Sequence, residues 1–343
     1  MNDRPKFQEL GVQWGVPDAP TLLTSLIKHS GLLQTATVKP SNFGNQHKYK
    51  YHETLPLATF REFGEGIVPK IIAGTLATID LWDLVTLAQD DAEFIESYPG
   101  GKDGWIEANM PAFIEGLGQT LASQIIYGTL NTSQIDGINS TVGFKGLYQY
   151  AKDFNHIHSL STTNNTGLTS IFVVRWDEND GVQVRVGGSS RLGRDLLQVK
   201  DITPVNPALV VQNTGNNAQL PVYSWLLHCY ATLVVPTIKS VAVVNKVDSQ
   251  IYDTTAKTQA FVNALNTAID EIEATNGQKC IYANVKGKAL LSGLKQDKLT
   301  LYRADMDYNN LIESYRGIPI ILEENILSTE NTTFLTQANL IGG

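Results

Sequence analysis

Apolar residues recur at helical spacing over limited parts of the chain, most clearly a third of the way along. Ile106, Met110, Phe113, Ile114, Leu117, Leu121, Ile125 and Ile126 fall on one stripe at steps of three and four. The spacing predicts a helix with Asn109 as its cap and Pro111 in the first turn, where a missing N–H is harmless. It stops at Tyr127, before Gly128. Gly116 and Gly118 lie inside it at a cost of about 1 kcal/mol each relative to Ala. Close approach of another backbone is the expected compensation.

Elsewhere the pattern favours extended chain. Residues 47–91 are rich in Thr, Tyr, Phe, Ile and Val and are interrupted by Pro56 and Pro69, which argue against central strands of a packed sheet. A long excursion of two strands is expected there, and a hairpin of that kind is marginal alone in water. Residues 169–188 read as a strand pair turning at Asn179, Asp180 and Gly181. More strand follows at 223–235 and 240–247. Phe261, Leu265, Ile269 and Ile272 then mark a helix over about 256–274, ended by Asn276 and Gly277. A strand at 279–285, a short helix at 286–296 and an extended segment at 316–326 complete the chain. Residues 1–45 read as an arm. Strands and helices mixed without strict alternation indicate an α+β fold.

Composition changes this picture in one respect. Of 343 residues 42% are hydrophobic, as a globular chain requires, but only 17% are charged, against roughly 25% in a typical soluble domain. Another subunit, or Asn, Thr, Ser and Gln, must therefore cover much of the surface. The formal charge of -8 and the absence of a basic stripe argue against a broad grip on nucleic acid. Cys229 and Cys280 match neither a metal spacing nor a disulfide framework and read as structural thiols of a reducing cytoplasm. No apolar run approaches the roughly 18 residues of a membrane span, and the first ten residues lack a signal-peptide pattern.

Candidate chemistry is sparse. In 187–197 Gly188 and Gly193 have the separation of a phosphate loop, but Arg194 and Asp195 stand where Lys and Ser or Thr are needed. His156 and His158 lack a third ligand nearby, and 177–182 lacks the spacing of a calcium loop. Asp90, Asp91, Glu93 and Glu96 read as a solvated edge rather than a catalytic pair. There is no Gly-x-Ser-x-Gly elbow. No catalytic residue, cofactor or metal is expected.

The order of the parts is more informative. "TLPLATFREFGEGI" (54–67), "QIIYGT" with "GFKGL" around the end of the long helix, "NTGLTSIFVVRW" (165–176) and "YRGIPIILEENI" (315–326) follow one another as in one family. The chain resembles the major capsid proteins of tailed bacteriophages, the Hong Kong-type capsid fold, in the branch typical of short-tailed and related phages.

The resemblance implies an N-terminal arm at 1–45, an extended loop (E-loop) region at 46–103 and a spine helix at 104–128. A peripheral-domain sheet with its connections at 129–255, an axial-domain helix/strand unit at 256–324 and a C-terminal tail at 325–343 would follow. It further implies hexamers and pentamers of this chain, closed into an icosahedral shell around double-stranded DNA and assembled in the bacterial host cytoplasm. Tyr49, Tyr51, Phe60, Arg61, Phe63 and Trp82 are the expected inter-subunit contacts of the E-loop, since aromatics dominate interfaces. Gly128, Gly137, Gly143 and Gly146 are the expected hinge at the spine-helix exit. A portal, a separate scaffolding protein, a decoration protein and DNA held without sequence specificity are the expected partners, and a membrane is not. On the residues alone two other classes stay open. One is another virion part, such as a tail tube or decoration protein; the other is a cytosolic hydrolase.

Overall fold

Two sheets share most strands of this chain, and each draws them from distant stretches of sequence. The computed structural model describes Ile27, Ala58 and residues 30–43, 46–52, 60–66, 74–128, 143–187, 197–203, 209–211, 219–272, 276–293, 299–303 and 311–330. In chain order the elements are α1 (Gly31–Thr35), β1 (Val38–Pro40), β2 (Gln46–His52), β3 (Gly74–Asp80), β4 (Trp82–Asp91), α2 (Ala92–Ser97), α3 (Gly101–Tyr127) and α4 (Leu147–Asp153). Next come β5 (Ile157–Ser159), β6 (Thr169–Trp176), β7 (Gln183–Val186), β8 (Leu197–Asp201), β9 (Leu209–Val211), β10 (Gln219–Val234) and β11 (Val241–Val247). The last are α5 (Thr255–Asp270), β12 (Gln278–Ala283), α6 (Val285–Gly293), β13 (Leu299–Arg303), β14 (Leu311–Tyr315) and β15 (Ile318–Leu322).

The first sheet is ordered β1-β7-β10-β4, with β8 and β9 also on β10. The long helix α3 lies on it. Trp105 stacks on Trp225 of β10 with centroids 4.9 Å apart, and Lys102 bonds Asp201 of β8 at 2.5 Å. The second sheet is ordered β13-β14-β15-β12-β6-β11-β5. Its strand β6 is buried at every position, because the sheet is covered on both faces. Phe172, Val174 and Trp176 face the core shared with α3, while Ile171 and Val173 face Phe261, Leu265 and Ile269 of α5.

Several expectations change. Residues 169–186 do not form a hairpin: β6 and β7 belong to different sheets, and the turn at Asp177–Gly181 carries the chain between them. Asp177 holds that turn by accepting from the amides of Asn179 and Asp180. The long helix starts at Gly101 rather than at an Asn109 cap, so Pro111 lies in its interior. Asn109 instead donates from Nδ2 to the Trp105 carbonyl, at 3.0 Å. A Cβ on Gly116 would meet nothing within 4 Å, so the close backbone expected there is absent in this subunit.

Boundaries move as well. Within the expected arm, Leu32, Leu33, Ala36 and Val38 are fully buried, and β1 pairs with β7. Within the expected E-loop region, β4 pairs with β10 from Trp82 to Asp91 and is part of the first sheet. The division at 255/256 cuts through the second sheet, where β12 joins β6.

Candidate assembly surface

The only strands of neither main sheet among the described residues are β2 and β3, which form a two-stranded antiparallel ribbon. Its register runs from Gln46 opposite Asp80 to His52 opposite Gly74, and Tyr, Thr, Leu and Ile at these positions suit a pleated surface. At the base, Asn42 mimics a strand partner. Its Nδ2 donates to the Lys48 carbonyl at 2.6 Å, and its Oδ1 accepts from the Lys48 amide at 2.9 Å. Gln46 donates to Asp80 across the pair at 2.9 Å. His47 is buried and stacked near Tyr49, and burial, then the Arg185 charge, lower its pKa to about 4.

Beyond the ribbon, residues 60–66 form a local turn. The Glu65 amide donates to the Glu62 carbonyl at 3.2 Å, Gly64 takes φ +95, and Arg61 donates to the Glu65 carbonyl at 2.6 Å. A positive φ at the third position of such a turn is the reason Gly stands there. Phe60 and Phe63 are 109% exposed, while Phe43 and Leu76 at the ribbon are 61% and 63% exposed.

The expected contact residues divide accordingly. Tyr49 and Tyr51 lie on β2, and Phe60, Arg61 and Phe63 lie in the exposed turn. Trp82 does not travel with them. It is paired with Ala231 in the first sheet and lines a cavity of about 150 Å³ between α3, β4 and β10, together with Leu84, Leu121, Phe144 and Cys229.

The helix exit is a second junction. Gly128 has φ +68, and a Cβ there would fall 2.2 Å from the Gly146 amide nitrogen. Gly146 itself has φ -90, open to any residue, so its glycine is required by the approach of Gly128 and not by conformational freedom. A Cβ on Gly143 would meet the Gln124 side chain at 2.4 Å. Gln124 in turn donates to the Phe144 carbonyl at 2.9 Å. Gly137 lies outside the described residues.

Two buried carboxylates tie the late part of the chain to distant segments, Glu330 to the helix exit and Glu323 to the N-terminal segment, and the sequence reading missed both. Glu330 accepts from Tyr127 and Ser170, each at 2.7 Å, and burial pushes its carboxyl up to about 7. Glu323 accepts from Ser30 Oγ and the Leu32 amide, each at 2.7 Å. Glu323 follows an apolar strand, and a charge placed there was the one available signal.

The acidic residues weighed as chemistry are structural. Asp90 accepts from Trp105 Nε1 at 3.0 Å, Asp91 caps α2 through the Glu93 amide, and Glu96 accepts from Tyr223 at 3.1 Å. His158 bonds Glu271 at 2.8 Å, and His156 bonds the Val241 carbonyl at 3.1 Å. Among the described residues no group of three His, Cys, Asp or Glu is placed to hold a metal, and no helix is long and apolar enough to cross a membrane. Most of 187–197 lies outside the described residues.

Comparison with known proteins points to one family. The profile of the family described as "Major capsid protein GP7" matches residues 20–333. No curated protein matches. A chain in the near-atomic structure of bacteriophage Epsilon15 superposes with a TM-score of 0.54 at 18% identity, covering 87% of each chain. A chain of the bacteriophage JBD30 capsid gives 0.51 at 12% identity, covering 86% of this chain and 90% of that one.

Proposed function

The chain belongs to the major capsid protein GP7 family, and from that premise we propose how this major capsid protein of a tailed-phage virion closes its shell. The β2–β3 ribbon and the turn at 60–66 act as the E-loop and lie across a neighbouring copy. Subunits so linked form hexamers and pentamers, and each heterologous contact is repeated around a ring until an icosahedral shell closes around the DNA. The helix α3, about 40 Å long at 1.5 Å per residue, acts as the spine. The first sheet serves as the peripheral lobe, and the second sheet with α5 and α6 serves as the axial lobe.

One observation carries this reading: Phe60 and Phe63 stand fully exposed beyond a ribbon that pairs with neither main sheet. A ribbon of two strands is not stable by itself, so a second copy supplies the surface it lacks. Low charge fits the same role, because the cores of interfaces are depleted in charge. Assembly in the bacterial cytoplasm, a separate scaffolding protein, a portal and a decoration protein complete the proposal. DNA lies against the inner face without sequence readout, and the acidic balance of the chain keeps that contact from being a broad electrostatic grip.

Electron microscopy of the overexpressed protein tests it. Closed shells, or rings of five and six subunits, are expected. Tubes would favour a tail component, and compact monomers would contradict self-assembly.

A further inference from the structure

The turn at 60–66 is exposed, and α3, β4, β10 and the segment at Gly143–Phe144 enclose a cavity lined mainly by apolar residues. The turn is pre-formed by its own bonds. The Glu65 amide closes it on Glu62, Gly64 supplies the positive φ, and the Arg61 guanidinium ties its base. Phe63 stands at the apex, immediately before Gly64, with its ring fully in solvent. An apolar side chain held out on a rigid turn loses little freedom on docking, which is the usual way such a contact gains affinity.

The cavity lies under Trp82, walled by Leu84, Leu121, Phe144, Cys229 and Ala231. Its volume of about 150 Å³ matches that of engineered apolar cavities in other proteins, which stay dry and bind benzene. One phenyl ring is therefore the natural occupant. The charges agree as well: Asp83, on the cavity wall and bonded to His228 at 2.9 Å, offers a carboxylate to the Arg61 that accompanies Phe63.

We propose that Phe63 of one subunit inserts into this cavity of a second copy, with Arg61 turned toward that copy's Asp83. The proposal rests on the E-loop reading above and deepens it, because it names the place on the neighbour that the turn reaches. Trp82 then belongs to the receiving surface and not to the protrusion.

The test is to replace Phe63 by p-azidophenylalanine, assemble shells, irradiate them and map the adducts by mass spectrometry. Adducts between subunits are expected on peptides carrying Trp82–Leu84, Leu121, Phe144 or Cys229–Ala231. Adducts on another part of a neighbouring subunit would overturn the cavity assignment and leave the E-loop reading standing. Adducts confined to the same chain, or none at all, would overturn both. If the azido chain does not assemble, Ala231→Leu decides. It fills the cavity from within and is expected to give a folded subunit with at least tenfold fewer shells, as is Phe63→Ala. Normal shell yields from both variants would overturn the assignment.

Discussion

Tyr127, the last residue of the long helix, bonds through its hydroxyl to Glu330, 2.7 Å away and 203 positions later in the chain. The same hydroxyl accepts from the Leu327 amide at 2.8 Å, so its proton is directed to the carboxylate. The helix exit is thereby fastened to the chain's last described residues through a group with no cation beside it among the described residues.

Stability should therefore depend on pH through Glu330. Burial raises its carboxyl from 4.5 to about 7, against the opposing bonds from Ser170 and Tyr127. Tyr127 and Tyr148 are the other titratable groups facing it, and burial raises both further above their ordinary range. Between about pH 4.5 and 7 the folded chain keeps a proton that the unfolded chain has lost. The contribution is intact below that window, is lost as pH rises through it, and costs roughly 3 kcal/mol above it. Glu330→Gln should flatten this part of the profile in denaturant titrations from pH 4 to 8. An unchanged difference between pH 4.5 and 7 would contradict it.

Tyr282→Phe should destabilise the fold through a lost acceptor. Trp176 Nε1 donates to the Tyr282 hydroxyl at 2.6 Å in the core, and Thr35 bonds the same oxygen at 2.5 Å. Removing it strands a buried indole N–H, at a cost of about 1–3 kcal/mol. Urea unfolding of the unassembled subunit reads the change, and a loss below about 0.5 kcal/mol would contradict the pairing.

Two glycine substitutions should act in opposite directions. Gly128→Ala places a Cβ 2.2 Å from Gly146 at φ +68 and should cost well over 1 kcal/mol. Gly116→Ala adds a methyl group in open space on an exposed helix face and should gain about 1 kcal/mol. Thermal unfolding of the two subunit variants checks both signs.

Much of the fold was legible where local pattern and tertiary packing agree. The stripe from Ile106 to Ile126 is buried much as its spacing implied, and Tyr127 ends the helix before Gly128. Packing decided the other helix boundary. Gly101 and Gly104 look like loop, yet Trp105 stacked on Trp225 and Lys102 paired with Asp201 extend the helix over them. The turn at Asn179–Gly181 was read correctly as a turn and wrongly as a hairpin. Turn chemistry fixes a reversal but not which sheet receives the next strand.

The proposed contact surface is only partly a matter of local pattern. Aromatics on an extended excursion single out Phe60 and Phe63, which are exposed, and equally Trp82, which strand pairing assigns to β4. The cavity lined by Trp82 is made by four separate segments, α3, β4, β10 and Gly143–Phe144, and leaves no local pattern. Glu330 is equally silent in sequence, because its partners come from 127 and 170.

The most direct measurement replaces residues 53–73 by Asn-Gly, a two-residue turn suited to joining β2 to β3, and compares assembly by sedimentation and electron microscopy. The account predicts subunits that unfold within a few degrees of the unaltered chain and build no closed shells. Shells at the unaltered yield would contradict the claim that this protrusion completes its fold on a neighbouring copy.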